Sequence, residues 1–491
     1  MFQSISSLAF KPSSSVKHRL PRATLVLSFL GATALAACSS TAVPGNGATP
    51  VPLPPPPPLP PPPPLPLPLT CAWAHKTSDA SCPVGECPIV LDKELSCNDE
   101  QFAEPGLRVA ATPDATWLAT SSSNERMVYR LAGGKEELQA GIPEAFIGNR
   151  ISLALGPEGA PQLVADPTGP TAESGGGVTR AVFAGGTWTS SVIIDSAHSP
   201  TQVIDFEVAP SGNPFLWFTG GPSGNVTQAT SDGQGGWTLD PQASPCDRYT
   251  LDGDGSPLCV TLKYVPNTGN KYQLRATIGG VDTLIVAPFE VESGSPWVLA
   301  DPPPQIPSGL LFGAAIVGFD GIHVVRASKG AQAQVSVVDG IPSSVQSCAL
   351  SSGDCQTGCD NSGTVWDRRW LALGWTDDGT AWVTYIVTHL DQAIDFANQA
   401  DPEQPGICSP SVSRDSSTGT LHLVRISPDG SAPAEVLTMP IARLASRLGF
   451  LFRGRLIDMH GSGKQLVIGL REGWIPGQNT VRLLRIDTTT L

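Results

Sequence analysis

The sequence predicts an all-β fold, a β-propeller of about seven four-stranded blades, with six or eight blades also compatible with the spacing. Three observations predict it. First, the chain holds 51 Gly and 48 Pro in 491 residues and only 15% charged residues. That composition suits many turns and short strands rather than long surface helices, which would need far more Glu, Lys and Arg. Second, a unit of two hairpins recurs along most of the chain. Third, one such unit cannot bury both faces of its sheet, whereas a closed ring buries each face against a neighbour and leaves only short, protected edges.

At the start of the chain, Lys17, His18, Arg19 and Arg22 precede an apolar run from Ala23 to Ala37, the layout of an export signal. The run is shorter than the ~20 residues a helix needs to cross a bilayer. It ends in Leu35-Ala36-Ala37-Cys38, which resembles the lipobox of bacterial lipoproteins. The resemblance implies cleavage between Ala37 and Cys38 and a diacylglycerol on the Cys38 sulfur, and acyl chains hold a soluble domain to a membrane through about 0.8 kcal/mol per buried methylene. Ser39 in place of Asp implies sorting to the outer membrane or cell surface in a cell with two membranes. The alternative is an ordinary cleaved signal peptide, with Ala32, Ala34 and Ala36 as small residues at its site and an incidental cysteine. The expected localisation is thus exported and membrane-anchored.

From Pro52 to Pro68, thirteen of seventeen residues are proline and the other four leucine. Fixed φ angles and missing amide donors make this polyproline II, a semi-rigid spacer about 50 Å long at ~3.1 Å per residue. A ligand for proline-recognising domains is the alternative. The expected organisation is a signal peptide at 1–37, a lipidated cysteine and proline-rich linker at 38–70, a Cys-rich disulfide-bonded segment at 71–106, and the propeller at 107–491.

Of eleven cysteines, ten remain after Cys38, an even number that suits disulfide pairing in an exported chain. Cys71, Cys82, Cys87 and Cys97 fall in a segment too poor in apolar residues to make its own core, so bridges are expected to fold it. Cys246 and Cys259 flank one hairpin and are expected partners. Cys348, Cys355 and Cys359 cluster in a Gly/Ser/Asp loop and need at least one distant partner, for which Cys408 is available. Zinc is disfavoured: Cys82 and Cys87, or Cys355 and Cys359, only approach knuckle spacing, no Cys-x2-Cys pair occurs and no His sits at ligand spacing nearby.

The repeat is clearest from Arg108, Ile151, Ile204, Leu371 and Ile457, with weaker copies turning at Gly255 and Gly321. Taking Asp114, Gly159, Gly212, Gly255, Gly321, Gly379 and Gly463 as the first turns, the intervals are 45, 53, 43, 66, 58 and 84, most of them one four-stranded blade. The longest carries an insertion between about His389 and Thr418. Second hairpins turn near Gly134, Gly186, Gly236, Gly280, Gly340 and Gly430. The last unit lacks a fourth strand, and an upstream strand at Ile89 to Leu91 could close the ring. Two β-sandwiches with similar hairpins are the competing architecture. Thr230-Ser231-Asp232-Gly233-Gln234-Gly235-Gly236-Trp237 resembles a degraded Asp-box, the turn of sialidase-like propellers, with Gln234 where glycine is usual. Such boxes are structural turns, so the resemblance implies no activity and Trp237 reads as hairpin packing.

Net charge is −14, yet residues 1–70 carry four cations and no acid, which leaves −18 for the rest. A domain of that balance repels phosphate backbones and anionic lipid headgroups, so nucleic acid is not an expected partner. Catalytic patterns are missing: no H-E-x-x-H helix and no G-x-S-x-G elbow. Gly461-Ser462-Gly463-Lys464 is followed by Gln465 rather than Ser or Thr, which fits a hairpin turn better than a phosphate loop. Asp252 and Asp254, alternate carboxylates on a glycine-bent loop, are the one candidate cation site, for calcium, although D-G is also a favoured hairpin turn. His75, His198, His323, His389, His422 and His460 are scattered. The reading that follows is an anchored, non-catalytic propeller that presents loops to an unknown protein or glycan and needs no cofactor. The alternatives are a secreted, glycan-active hydrolase or lyase with its site in the propeller channel, and a structural component of the cell envelope.

Overall fold

The computed structural model describes residues 71–76, 80–82, 87–97, 107–121, 126–139, 142, 151–165, 176–220, 225–241, 246–278, 280–291, 297–300, 309–339, 344–346, 359–398, 408–416, 418–441, 457–475 and 478–491. The signal, the proline tether, Ala37, Cys38, Cys348, Cys355 and Gly340 lie outside the described residues.

The fold is all-β, a ring of seven blades. The first two strands, β1 (Cys71–His75) and β2 (Ile89–Cys97), belong to the last blade. Blade 1 is β3 (Leu107–Ala111), β4 (Thr116–Ser121), β5 (Arg126–Ala132) and β6 (Lys135–Leu138). Blade 2 is β7 (Ile151–Leu155), β8 (Pro161–Ala165), β9 (Val178–Ala184) and β10 (Thr187–Ile194). Blade 3 is β11 (Pro200–Val208), β12 (Pro214–Gly220), β13 (Asn225–Ser231) and β14 (Trp237–Pro241). Blade 4 is β15 (Arg248–Leu251), β16 (Pro257–Tyr264), β17 (Lys271–Ile278) and β18 (Val281–Glu290). Blade 5 is β19 (Trp297–Ala300), β20 (Leu310–Val317), β21 (Ile322–Ser328) and β22 (Gln334–Val338).

Blade 6 contains β23 (Ser344–Gln346), β24 (Cys359–Trp375), β25 (Ala381–Asn398), β26 (Cys408–Asp415), β27 (Thr418–Ile426) and β28 (Ala434–Ile441). Its blade proper is β24-β25-β27-β28. The β24–β25 hairpin overruns it from Cys359↔Ile394 to Trp366↔Val387, with β23 and β26 paired to the overrun. The insertion expected between His389 and Thr418 is this extension, and it begins earlier, at Cys359. Blade 7 is β29 (Ile457–Ser462), β30 (Gln465–Ile475) and β31 (Gln478–Asp487), completed by β2 as fourth strand and β1 as a fifth. The upstream strand does close the ring, and it runs on to Cys97.

The innermost strands touch in the cyclic order β3, β7, β11, β15, β19, β24, β29 and back to β3. Seven apolar clusters fill the gaps, one between each pair of neighbouring blades. Between blades 3 and 4, for instance, fully buried Trp217 stacks on Tyr249 with centroids 5.4 Å apart. Burial of a side chain of this kind contributes roughly 1.5–3 kcal/mol.

The first turns pack blade on blade. Gly255 has φ +82°, and a Cβ there would lie 2.8 Å from that of Ala209 in the preceding turn, so only glycine fits both the backbone and the contact. One blade departs from the expected phase. Gly321 lies in the β20–β21 connection, the second of blade 5, and its first connection is the stretch 301–309. The second hairpin of that blade turns at Gly330 rather than Gly340. Every connection in a blade is an antiparallel one, so a tight glycine turn between apolar runs does not say which pair of strands it joins.

The closing blade is locked by charge. Arg482 of β31 donates to both carboxylate oxygens of Asp92 on β2, each at 2.8 Å, and to Glu472 of β30 at 3.0 Å. All three are buried. Burial pushes the Glu472 carboxyl up, against the pull of Arg482. Lys93 of β2 pairs with Glu136 of blade 1. Cys71 and Cys97, opposite each other in the β1–β2 register, are joined by a disulfide. Cys82–Cys87 and Cys246–Cys259 are also bridged. Cys359 and Cys408 are described for backbone only, in β24 and β26.

Candidate functional site

The turn that holds the calcium candidates uses one of its two carboxylates locally. Asp252 Oδ1 accepts from Asp254 N at 3.0 Å and Ser256 N at 2.7 Å, tying the β15–β16 turn, and Asp254 faces Lys329 at 3.6 Å. The same device recurs: Asp378 Oδ1 accepts from Thr380 N and the Thr376 hydroxyl, and Asp232 Oδ1 from Gln234 N and Gly236 N in the Asp-box-like turn. Among the described residues no three His, Cys, Asp or Glu side chains gather as metal ligands.

A channel enzyme would show acids and histidines converging at the axis. Among the described residues, two inner-strand acids brace neighbouring blades. Glu207 of β11 accepts from Leu251 N of β15 at 2.7 Å, and Asp458 of β29 accepts from Val109 N of β3 at 2.9 Å. His460 Nδ1 accepts from Ala111 N at 3.1 Å, which requires an unprotonated Nδ1. Desolvation of its ring pushes His460 below its ordinary value, against the opposing charges of Asp458 and Asp377. These groups satisfy inner-edge amides that have no ladder partner, and blades 3 and 7 are not adjacent.

A different constellation forms at the end of the ring opposite the first turns, along the seam between blades 4 and 5. Tyr264 closes β16 and Tyr272 follows the first residue of β17. They are direct register partners, with ring centroids 5.5 Å apart at 63°. Tyr272 pairs in register with Phe289 of β18, whose ring lies 4.9 Å from His323 of blade 5. Direct partners share a sheet face, so Tyr264, Tyr272 and Phe289 all project toward blade 5. His323 Nε2 meets Asp320 Oδ1 at 2.7 Å. Inward along the same row, Trp297 and His323 both pair with Ile316. Arg248 lies over the Trp297 ring at 5.4 Å and donates to Asp247 O.

Exposure is graded along this seam. His323 is 8% exposed, Tyr264 46% and the neighbouring Phe319 57%. Among the described residues, five of the eight large apolar side chains that reach solvent, Tyr264, Val281, Leu284, Phe319 and Val335, lie in blades 4 and 5. Gly318 makes the Asp320–His323 pair possible: a Cβ there would sit 2.7 Å from the imidazole and 2.8 Å from Asp320 Oδ1. Burial of Asp320 would raise its carboxyl, but the hydrogen bond and charge of His323 prevail and hold it below the usual range.

Tyr264, Tyr272, Phe289 and Asp320 belong to no motif of the sequence. Tyr264 and Tyr272 bracket the turn sequence Val265-Pro266-Asn267-Thr268-Gly269-Asn270-Lys271, and two aromatics flanking one hairpin loop are the signal that could have found them. His323 and Asp320 have the spacing of a tight turn, with nothing to mark a site.

No family model and no curated protein matches this chain. Among solved structures, the polysaccharide lyase Uly1 aligns at 12% identity and a TM-score of 0.30, over 79% of this chain and 90% of that one. The Aleuria aurantia lectin aligns at 9% and 0.32, over 70% and 97%. Trypanosoma rangeli sialidase aligns at 10% and 0.31, over 85% and 58%. At those scores the likeness is too loose to bring any property of those proteins to this chain.

Proposed function

We propose that this chain works by binding rather than by catalysis: an exported propeller, anchored through a lipid on Cys38 and carried on the proline tether, that holds its ligand at the seam between blades 4 and 5. The single observation that carries the reading is the tyrosine corner, Tyr264 standing 46% exposed and packed against Tyr272 at the open end of the seam. Aromatic rings with one side packed and the other wet are favoured contact surfaces, because they offer large area at little conformational cost. The inner-strand acids support the non-catalytic side of the reading, since Glu207 and Asp458 are committed to backbone amides.

Replacing Tyr264 tests the seat. Tyr264→Ala is expected to weaken ligand binding at least tenfold, or about 1.4 kcal/mol, in titrations of the purified exported protein, with its melting curve unchanged. An Ala variant that binds as the wild type does would place the seat elsewhere. The anchor has its own test. Metabolic labelling with a fatty-acid analogue should mark the wild type and not Cys38→Ser, and the variant should move from the membrane to the soluble fraction.

A further inference from the structure

We infer that the blade 4–5 seam takes a chain of uncharged sugars and turns acidic sugars away, an inference that rests on the binding role proposed above. The seam offers two kinds of contact in sequence. At its outer end Tyr264 and Tyr272 meet at 63°, making a corner of two ring surfaces, which suits the C–H face of a sugar ring. At its far end stands Asp320, one oxygen on His323 and the side chain 66% exposed.

An ionised carboxylate only accepts hydrogen bonds. It therefore selects partners rich in hydroxyl donors, and it repels a uronate or sulfate, which brings acceptors and like charge. The two ends are joined by Phe289 and His323 rather than adjoining, so a ligand that uses both is an oligosaccharide lying along the seam. The β16–β17 connection adds amide groups beside Tyr264: Asn267 and Asn270 are both exposed, and Asn267 has φ +63°.

The cations of blade 4 do not reverse this. Lys263 and Lys271 precede Tyr264 and Tyr272 on their strands and so project from the other face of the sheet, where Lys271 is the register partner of Glu290. Arg248 lies at the inner strand against Trp297, beside Asp247. The −18 carried by the chain beyond residue 70 sets the wider field against anions, within the ~8–10 Å that salt leaves unscreened.

The test is affinity electrophoresis of the full exported protein through gels containing neutral polysaccharides (mixed-linkage β-glucan, galactomannan, starch) or acidic ones (polygalacturonate, alginate, chondroitin sulfate). At least one neutral polymer should retard the wild type and no acidic one should. Tyr264→Ala and Asp320→Asn should each raise the apparent Kd tenfold or more, while Tyr264→Phe keeps most of the retardation. Asp320 is exposed and Tyr264 half-exposed, so a thermal melt that matches the wild type certifies the fold of each variant. Retardation by acidic polymers alone, or an unchanged Asp320→Asn, overturns the inference and leaves the seat standing if Tyr264→Ala still abolishes binding. Failure of all six polymers also overturns it. A protein partner whose crosslinking depends on Tyr264 would then keep the seat, and loss of that dependence would remove both readings.

Discussion

At the scale of single residues, the buried polar groups do their work where the backbone would otherwise be left short of partners. His460 is the clearest case, because its accepting nitrogen must be free of a proton. Its folded value lies below the ordinary 6.5, so the unfolded chain takes up the proton first. The stability it contributes is present in full above about pH 6.5 and is lost as pH falls from there through the folded value. Denaturation midpoints measured from pH 7 to pH 5 should fall less steeply for His460→Asn, whose amide oxygen can still accept from Ala111. His460→Ala should cost about 1–3 kcal/mol at neutral pH by stranding that amide. Arg482 is more demanding: Arg482→Met leaves Asp92 and Glu472 buried without their cation, and a loss of roughly 3–5 kcal/mol is expected in urea unfolding. Little of this was legible in advance. The sequence marks Asp252 and Asp254 as plainly as any residues in the chain; the Asp252 carboxylate ties its own turn and that of Asp254 faces Lys329. Phe289 and His323 meet only because two sheets are brought face to face, which no local pattern encodes.

At the scale of elements, what could be read was whatever a tight turn requires. Glycine at a positive φ between apolar runs located most first hairpins, and the strand upstream of Cys97 was recognisable from the missing fourth strand of the last unit. Blade 5 slipped by one connection because its first link, Asp301 to Gly309 with Pro302, Pro303 and Pro304, lacks the short glycine turn that the others share. The fifth strand β1 carried no separate signal, since the cysteines around it had already accounted for that segment. Its disulfide gives a direct test. Cys71→Ala with Cys97→Ala should cost about 2–4 kcal/mol, and hydrogen exchange of the β2 amides should quicken well before that of β30.

At the scale of the whole molecule, seven gaps each hold their own apolar cluster, and no blade is complete without its neighbours. Ring closure depends on one sheet built from both ends of the described chain, β2 against β31. The seam between blades 4 and 5 lies on the far side of the ring from that closure, so changes at Tyr264 and at Arg482 should be independent within about 0.5 kcal/mol in a double-mutant cycle on stability. The Cys71–Cys97 bridge also decides how the molecule bears mechanical load. Tension arriving from the chain ahead of Cys71 crosses sulfur to Cys97 and passes on toward β3, the innermost strand of blade 1. The two cysteines are 26 positions apart in sequence, the residues between them carry almost none of it, and β1 cannot be unzipped from its end. A body towed by its amino terminus thus keeps its latch out of the line of pull.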